Sequence, residues 1–290
     1  MERMRVRTDL ALEAKESFEG SDTEVHGVVV EEDYDEEKDI RLTRVRIESE
    51  RGAREMGKAM GNYLTLEAPG MASPDEDYHR EISETLAFYL KELMGEEKER
   101  SILVAGLGNR DVTPDALGPK TVSNLLITRH LIREYGAGVM GAEKCCQISG
   151  IVPGVMAQTG METSEIIRRI IDQTSPDLLI VIDALAARST RRLSRTIQLT
   201  DTGIQPGSGV GNHRNCLTKE SLGIPVIAIG VPTVVEAAAI IYDAQGSCEQ
   251  MPPHLNGMFV TPKNIDETIK QLSFTLSEAL NMAFQLSDEA

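Results

Sequence analysis

The sequence predicts an α/β protein built on a doubly wound, mostly parallel sheet. Three observations predict it. The apolar runs Ile102–Ala105, Leu178–Ile182 and Ile224–Ile229 lack the alternation of a half-exposed strand, so each reads as a strand covered on both faces. Segments with apolar residues at helical spacing separate these runs, as in repeated βα units. Glycines and carboxylates follow the strands, at the sheet edge where such folds place their chemistry.

In chain order, residues 10–98 differ in character from the rest and are expected to form an N-terminal α+β extension to an α/β domain over 99–290. Leu10, Leu12, Ala14 and Phe18 give a short apolar pattern near the start. Gly27–Val30 and Leu42–Ile47 read as strands, the second alternating with period two. Between them, Glu31 to Asp39 carries seven acids and one lysine, the composition of a solvated loop. Ile82, Leu86, Leu90 and Leu93 make 79–94 an amphipathic helix. After strand 102–105, one helix is expected from Pro114 to Glu134, capped by Thr113, with Leu117, Val122, Leu125 and Leu126 as its buried stripe. Helix 163–173 leads to strand 178–182, Thr196–Leu199 is a further strand, and Pro232 is expected to start a helix after strand 224–229. A helix over 264–286 closes the chain.

Composition narrows the function. Of 290 residues, 30 are basic and 46 acidic, a balance of −16 that argues against a phosphate-binding surface and so against direct nucleic-acid binding. The first residues show no apolar signal region, and no run approaches a membrane span. Cys145, Cys146, Cys216 and Cys248 form no CxxC pair, which fits a reduced cytosolic protein, and the adjacent pair Cys145-Cys146 reads as buried thiols rather than a metal site.

Several motifs point to chemistry that their neighbours forbid. Gly106-Leu107-Gly108 follows a strand, but Asp111 stands where a dinucleotide fingerprint needs its third glycine, and a carboxylate there repels a pyrophosphate. Gly118-Pro119-Lys120-Thr121 lacks the earlier glycine of a P-loop, and Pro119 lacks an amide donor. A single Asp201-Thr202-Gly203 reads as a turn after a strand. The loop Pro206 to His213 is glycine-rich and could cover a site or simply connect, and Pro206 excludes a nucleophile elbow around Ser208. His26, His79, His130, His213 and His254 are scattered, so no zinc pair and no metal site is predicted.

What survives is a pair of carboxylates, Asp115 and Asp183, each just beyond an apolar strand. Two close carboxylates cannot both ionise cheaply, so one can hold a proton while the other acts as base on a water. Backbone donors at Gly106 and Gly108, or in the 207–211 loop with Gly209, could steady an oxyanion, with Asn109 and His213 within reach. The two acids titrate as a pair, so their roles are not assigned by the sequence; a helix beginning at Pro114 would favour the ionised form of Asp115 and make Asp183 the slightly better candidate for the protonated partner. Two rivals remain: a metallopeptidase in which the same acids and His213 hold a cation, and a non-catalytic α/β binding protein.

Set beside Val112-Thr113-Pro114-Asp115-Ala116-Leu117-Gly118-Pro119, the segments Val181–Arg188, Arg7–Ala11, Tyr63–Glu67, Asp201–Asn212, Ile224–Val235 and Val260–Lys263 make the chain resemble the germination proteases. These are endopeptidases of spore-forming bacteria that degrade small acid-soluble spore proteins at germination. The resemblance implies an aspartic-type peptidase with Asp115 and Asp183 as its essential acids, no cofactor, and a fold similar to hydrogenase-maturation endopeptidases. It also implies a homotetramer in the forespore and spore core, made as a zymogen that processes itself. Asp9-Leu10-Ala11-Leu12-Glu13 matches the target pattern of acid, bulky apolar residue, Ala, any residue, Glu. The cut is therefore expected between Asp9 and Leu10, with residues 1–9 as propeptide. Reading the acids of such a target calls for basic groups, for which Arg188, Arg191, Arg192 and His213 are placed nearest. One departure stands out: the segment from Ile240 to Phe259 is shorter than in familiar members, which bears on oligomeric contacts and on any lid.

Overall fold

A computed structural model describes residues 8–16, 26–73, 75–95, 100–140, 146–205, 215–245, 252–255 and 257–284. Among them, nine strands form one sheet: β1 (Val28–Asp35), β2 (Ile40–Ile47), β3 (Gly61–Glu67), β4 (Ser101–Gly106), β5 (Gln147–Ile151), β6 (Leu178–Ala187), β7 (Thr196–Thr200), β8 (Val226–Glu236) and β9 (Phe259–Val260). Their order is β1-β2-β3-β7-β8-β6-β4-β5, with the short β9 beside β8. The fold class is α/β, but the sheet is mixed rather than mostly parallel. Strands β5, β4, β6 and β8 run parallel, whereas β7, β3, β2 and β1 are joined by antiparallel pairings. The reason lies in the link between Ala187 and Thr196. It is a tight turn around Thr190–Arg192, too short for the crossover that a parallel return needs.

Helices cover both faces. On one, α3 (Glu76–Met94) and α10 (Ile265–Phe284) pack together and onto the sheet with α4 (Leu117–Ser123). Ile82, Leu86, Leu90, Leu272, Leu276 and Leu280 meet Ile102, Val104, Ile180, Ile182, Ile227 and Ile229 there. Helix α3 starts where the Asp75 carboxylate accepts the amides of Asp77 and Tyr78, and ends at Gly95 with a positive φ of 76°. On the opposite face, α7 (Thr163–Thr174) sets Ile167 and Ile171 against Leu103, Ala105, Leu179, Val181 and Ala228. The short helices α1 (Ala11–Glu16) and α2 (Glu50–Met56) cover the antiparallel half of that face, over Val45, Ile47 and Tyr63. Two single-turn helices, α6 (Met156–Thr159) and α8 (Lys219–Leu222), lie in the connections.

Three expectations need correction. The long helix over 114–134 is a 3₁₀ turn (Thr113–Asp115), then α4, then α5 (Arg129–Tyr135), and Val112 rather than Thr113 takes the capping position. Side chains hold the break open. The Thr128 hydroxyl donates to Cys146 O at 2.7 Å and accepts the Ile148 amide at 2.9 Å, while Asn281 Oδ1 accepts the Leu126 amide at 3.0 Å. Strand β8 continues through Pro232 to Glu236, so the helix expected at Pro232 begins at Ala237 as α9 (Ala237–Gln245). A proline fits here because the pairing with β6 slips between Leu185 and Ala186, leaving Thr233 as the extra residue of a bulge. The acidic run is only partly a loop: Glu31–Asp35 is the exposed outer half of β1, an edge strand whose charges discourage pairing with other chains.

Smaller expectations are met. His79 is buried with both ring nitrogens engaged, by the Thr275 hydroxyl and Ser73 O, and His26, His130 and His254 are exposed. Asp201 sits in the turn after β7, where its carboxylate accepts the Asn62 amide at 2.8 Å. Cys146 is a buried thiol as expected, whereas Cys216 is exposed, and Cys145 and Cys248 lie outside the described residues. Among the described residues no helix is long and apolar enough to cross a membrane.

The face that α10 presents to the core can be tested by urea unfolding. Leu276→Ala, at a side chain 1% exposed, should lower stability by ~2–5 kcal/mol. Phe274→Ala, at one 58% exposed, should change it by no more than ~0.5 kcal/mol.

Candidate active site

The site is built where α4 meets the ends of β4 and β6. Gly106, the last residue of β4, pairs with Ile182 of β6, and the Leu107 amide donates to Ile182 O at 2.8 Å. Gly118, the second residue of α4, rests directly on this backbone. A Cβ on Gly118 would stand 2.5 Å from both Ile182 O and Leu107 O, and one on Gly106 would stand 2.2 Å from Gly118 O. Helix and sheet therefore touch backbone to backbone, which glycine alone permits. Gly108 has a φ of +109°, and a Cβ there would fall 2.0 Å from Asp115 O. Among these glycines the close contacts are with the chain's own backbone, which is the structural reason for their presence.

That junction sets the positions of both acids. The 3₁₀ turn carrying Asp115 lies immediately before α4 and packs against β6. Asp115 is half-buried, and its Oδ2 accepts the Asn109 amide at 2.6 Å. The Asn109 side chain accepts the Asp111 amide at 3.0 Å and Gln158 Nε2 at 2.9 Å, so the turn from Gly108 to Asp115 closes on itself. The Asn109 amide, a candidate oxyanion donor, is thus directed at Asp115. Asp183 directly follows Ile182, is 6% exposed, and accepts the Ala184 amide at 3.0 Å. It sits within β6 rather than at the end of it, because β6 runs on to Ala187 alongside the bulged β8.

Asp183 heads a row of residues across one face of the sheet. Gly230 of β8 lies opposite it, Gln198 of β7 opposite Gly230, and Thr65 of β3 opposite Gln198. Gly230 has no side chain, so the row is open between Asp183 and Gln198. The chain's N-terminal segment lies over this part of the sheet. Asp9 N donates to Ala186 O at 3.2 Å, and the Asp9 carboxylate accepts Ala186 N at 2.9 Å. Asp9 O accepts Lys58 Nζ at 2.7 Å and, more weakly, Gln198 Nε2 at 3.4 Å, while Gln198 Oε1 accepts the Ala11 amide at 2.7 Å. The Glu13 carboxylate accepts the amides of Arg188 and Ser189 at 2.7 and 3.0 Å and the Thr8 hydroxyl. Arg192 reaches Glu13, Glu16 and Glu67 together. Burial pushes the Lys58 amine below its usual range, and the carboxylates of Asp9 and Glu13 oppose that shift.

The structure therefore brings Asp115, Gly108 and Asn109 together in one turn, beside Gly106, and packs that turn against β6, the strand that carries Asp183, while Asp9 and Leu10 lie over the same sheet. Gly209 and His213 lie outside the described residues. Of the proposed acid-reading groups, Arg192 is already engaged by the chain's own glutamates. The sequence gives no signal for Lys58, a polar residue ahead of β3, or for Gln198, a polar residue in the middle of β7. Among the described residues no group of three His, Cys, Asp or Glu could hold a metal ion.

Two variants probe the junction and the latch. Gly118→Ala forces a backbone shift and should cost ~1–3 kcal/mol in denaturant unfolding. Arg192→Gln removes the cation shared by buried Glu13 and partly exposed Glu16 and Glu67 and should cost ~1–3 kcal/mol in the same measurement.

Comparison with known proteins places this geometry in a family. The sequence profile described as germination protease matches residues 6–248. The germination protease of Caldanaerobacter subterraneus subsp. tengcongensis is 44% identical, over 97% of this chain and 94% of its own length. That of Clostridium perfringens is 41% identical over 97% and 95%, and that of Bacillus cereus strain AH187 is 51% identical over 82% of this chain and 65% of its own. With the profile covering most of the chain and relatives aligned almost end to end, the chain belongs to the germination protease family of endopeptidases.

Proposed function

We propose that this peptidase hydrolyses peptide bonds with a water activated between Asp115 and Asp183. The observation that carries the reading is the glycine junction, which fixes the turn bearing Asp115 against the strand bearing Asp183. Hydrolysis of an amide needs a base to take a proton from water and an acid to protonate the departing nitrogen. Asp115 suits the base: it is partly exposed, and the Asn109 amide donates to its carboxylate. Asp183, at 6% exposure beside the junction, is the partner carboxyl that supplies the proton. The helix-dipole reason for the same assignment weakens, since the helix proper starts at Leu117 and the Asn109 hydrogen bond takes its place. As the water adds, the carbonyl carbon becomes tetrahedral. Asp115 then holds the water's proton, and the Asp183 proton passes to the nitrogen as the C–N bond breaks.

The substrates proposed are small acid-soluble spore proteins in the spore core, cut as germination begins, and the chain's own N-terminus. Self-cleavage between Asp9 and Leu10 would release residues 1–9 as propeptide from a zymogen, leaving the extension 10–98 attached to the domain 99–290. Assembly as a homotetramer and kinship of fold with hydrogenase-maturation endopeptidases complete the proposal. Names of relatives and a family profile covering residues 6–248 support the spore role.

Incubating the full chain with a small acid-soluble spore protein, with N-terminal sequencing of all products, tests this. Leu10 should appear as a new N-terminus and the spore protein should be cut. Asp115→Asn and Asp183→Asn should each slow both reactions by ~10³-fold or more, with unchanged circular dichroism. Substantial cleavage by both variants would refute the two-acid site. A chelator should leave the rate unchanged; loss of activity restored by zinc would favour a metal-dependent reaction.

A further inference from the structure

We propose that the side-chain NH2 of Asn109 is the donor that steadies the oxyanion of peptide hydrolysis, and that Gln158 is the positioning residue that turns it outward. This deepens the two-acid reading above and rests on it. All but one of the polar atoms of Asn109 are spent inside its own turn. Its amide donates to Asp115 Oδ2 at 2.6 Å, its carbonyl accepts the Val112 amide at 3.2 Å, and its Oδ1 accepts the Asp111 amide at 3.0 Å. The backbone amide is thus committed to the base and cannot also meet an oxyanion. Only Nδ2 has no partner among the described residues, and that atom can donate but not accept.

Gln158 decides which way that side chain faces. It stands in α6, where its amide donates to Val155 O at 2.9 Å and the left-handed Gly160 ends the turn. From there Nε2 donates to Asn109 Oδ1 at 2.9 Å and to Asp111 Oδ2 at 3.2 Å. A carboxylate can only accept, so Gln158 presents its NH2 group, and Asn109 answers with its oxygen. The Asn109 NH2 is left facing away from this clamp. Bond lengths keep it within about 8 Å of the Asp115 carboxylate. That is the longest span over which a base, its water, the oxyanion on the attacked carbon and a donor can act in line, roughly 8 Å at hydrogen-bond distances. As the water's oxygen bonds to the carbonyl carbon, its proton passes to Asp115 and the C=O π pair moves onto the carbonyl oxygen. The Asn109 NH2 donates to that oxygen. The pair returns to C=O as the C–N bond breaks and the Asp183 proton goes to nitrogen. A donor aimed where charge develops speeds this step without tightening ground-state binding.

Steady-state cleavage of a small acid-soluble spore protein by the full chain tests this, with each variant expressed as a ratio to wild type at the same pH. Asn109→Ala should lower kcat about 10²-fold and change KM less than about threefold. Gln158→Met removes the donor without adding charge and should lower kcat about tenfold at every pH. Gln158→Glu sets a carboxylate against Asn109 Oδ1 and Asp111 Oδ2, which turns the Asn109 amide round. Its kcat ratio should fall about 10²-fold at neutral pH and recover about tenfold or more towards about pH 5. The introduced carboxyl then carries a proton that it can donate to Asn109 Oδ1, and Asp111, the charged group facing it, favours that protonation. A contact that only braced the fold would not be restored by acid. If Asn109→Ala loses its thermal transition, the two Gln158 variants, at an exposed side chain, carry the test alone. Wild-type kcat in Gln158→Glu at every pH, a loss confined to KM, or a loss that acid leaves unchanged would overturn the proposal. The two readings fail separately. Cleavage retained by Asp115→Asn and Asp183→Asn, with Gln158→Glu impaired and rescued by acid, removes the two-acid site and leaves the donor. No cleavage by the wild-type chain removes both.

Discussion

The contact between Gly118 of α4 and the backbone of Leu107 and Ile182 has no room for a single carbon atom. Everything at the site is referred to it. Because α4 lies against the sheet without side chains between, the turn ahead of it is held close to β6. Asp115 and Asp183 come from segments 68 residues apart, yet neither depends on a flexible loop for its position. A site on backbone junctions is more rigid than one on side-chain packing, because no rotamer can relax it. That rigidity suits a reaction that needs two carboxyl groups at a fixed separation around one water.

A second constraint acts across the sheet. Residues 8–16 bring Asp9, Glu13 and Glu16 against the body of the protein: the Asp9 and Glu13 carboxylates accept backbone amides, and Glu13 and Glu16 pair with Arg192. Removing ions from water costs several kcal/mol each unless hydrogen bonds and countercharges compensate, so the docked state depends on Arg192, Lys58 and the 186–189 backbone together. The same arrangement holds the N-terminal segment in register across β6 and β7.

How much of this was legible in the sequence depended on how local its cause is. The strands β4, β6 and β8 and the helices α3, α7 and α10 follow from apolar periodicity, which burial enforces directly. Asp115 and Asp183 could be picked out because each follows an apolar run and because Asp111 excluded a phosphate loop. The break between α4 and α5 could not be read, since it is held by Thr128 bonding to Cys146 and Ile148 and by Asn281, 155 residues from Leu126. The reversal of β7 was likewise hidden: its pattern is apolar in either direction, and only the short link from Ala187 decides it. Lys58 and Gln198 were missed for the same reason, their partners lying 49 and 187 residues away.

The central claim is that one proton and one water are shared by Asp115 and Asp183. Neutron diffraction from crystals of the full chain in heavy water would see both directly. The expected density shows a water bridging the two carboxyl groups, with a single deuteron on Asp183 and none on Asp115. Two bare carboxylates around a cation, or acids too far apart to share a water, would contradict it.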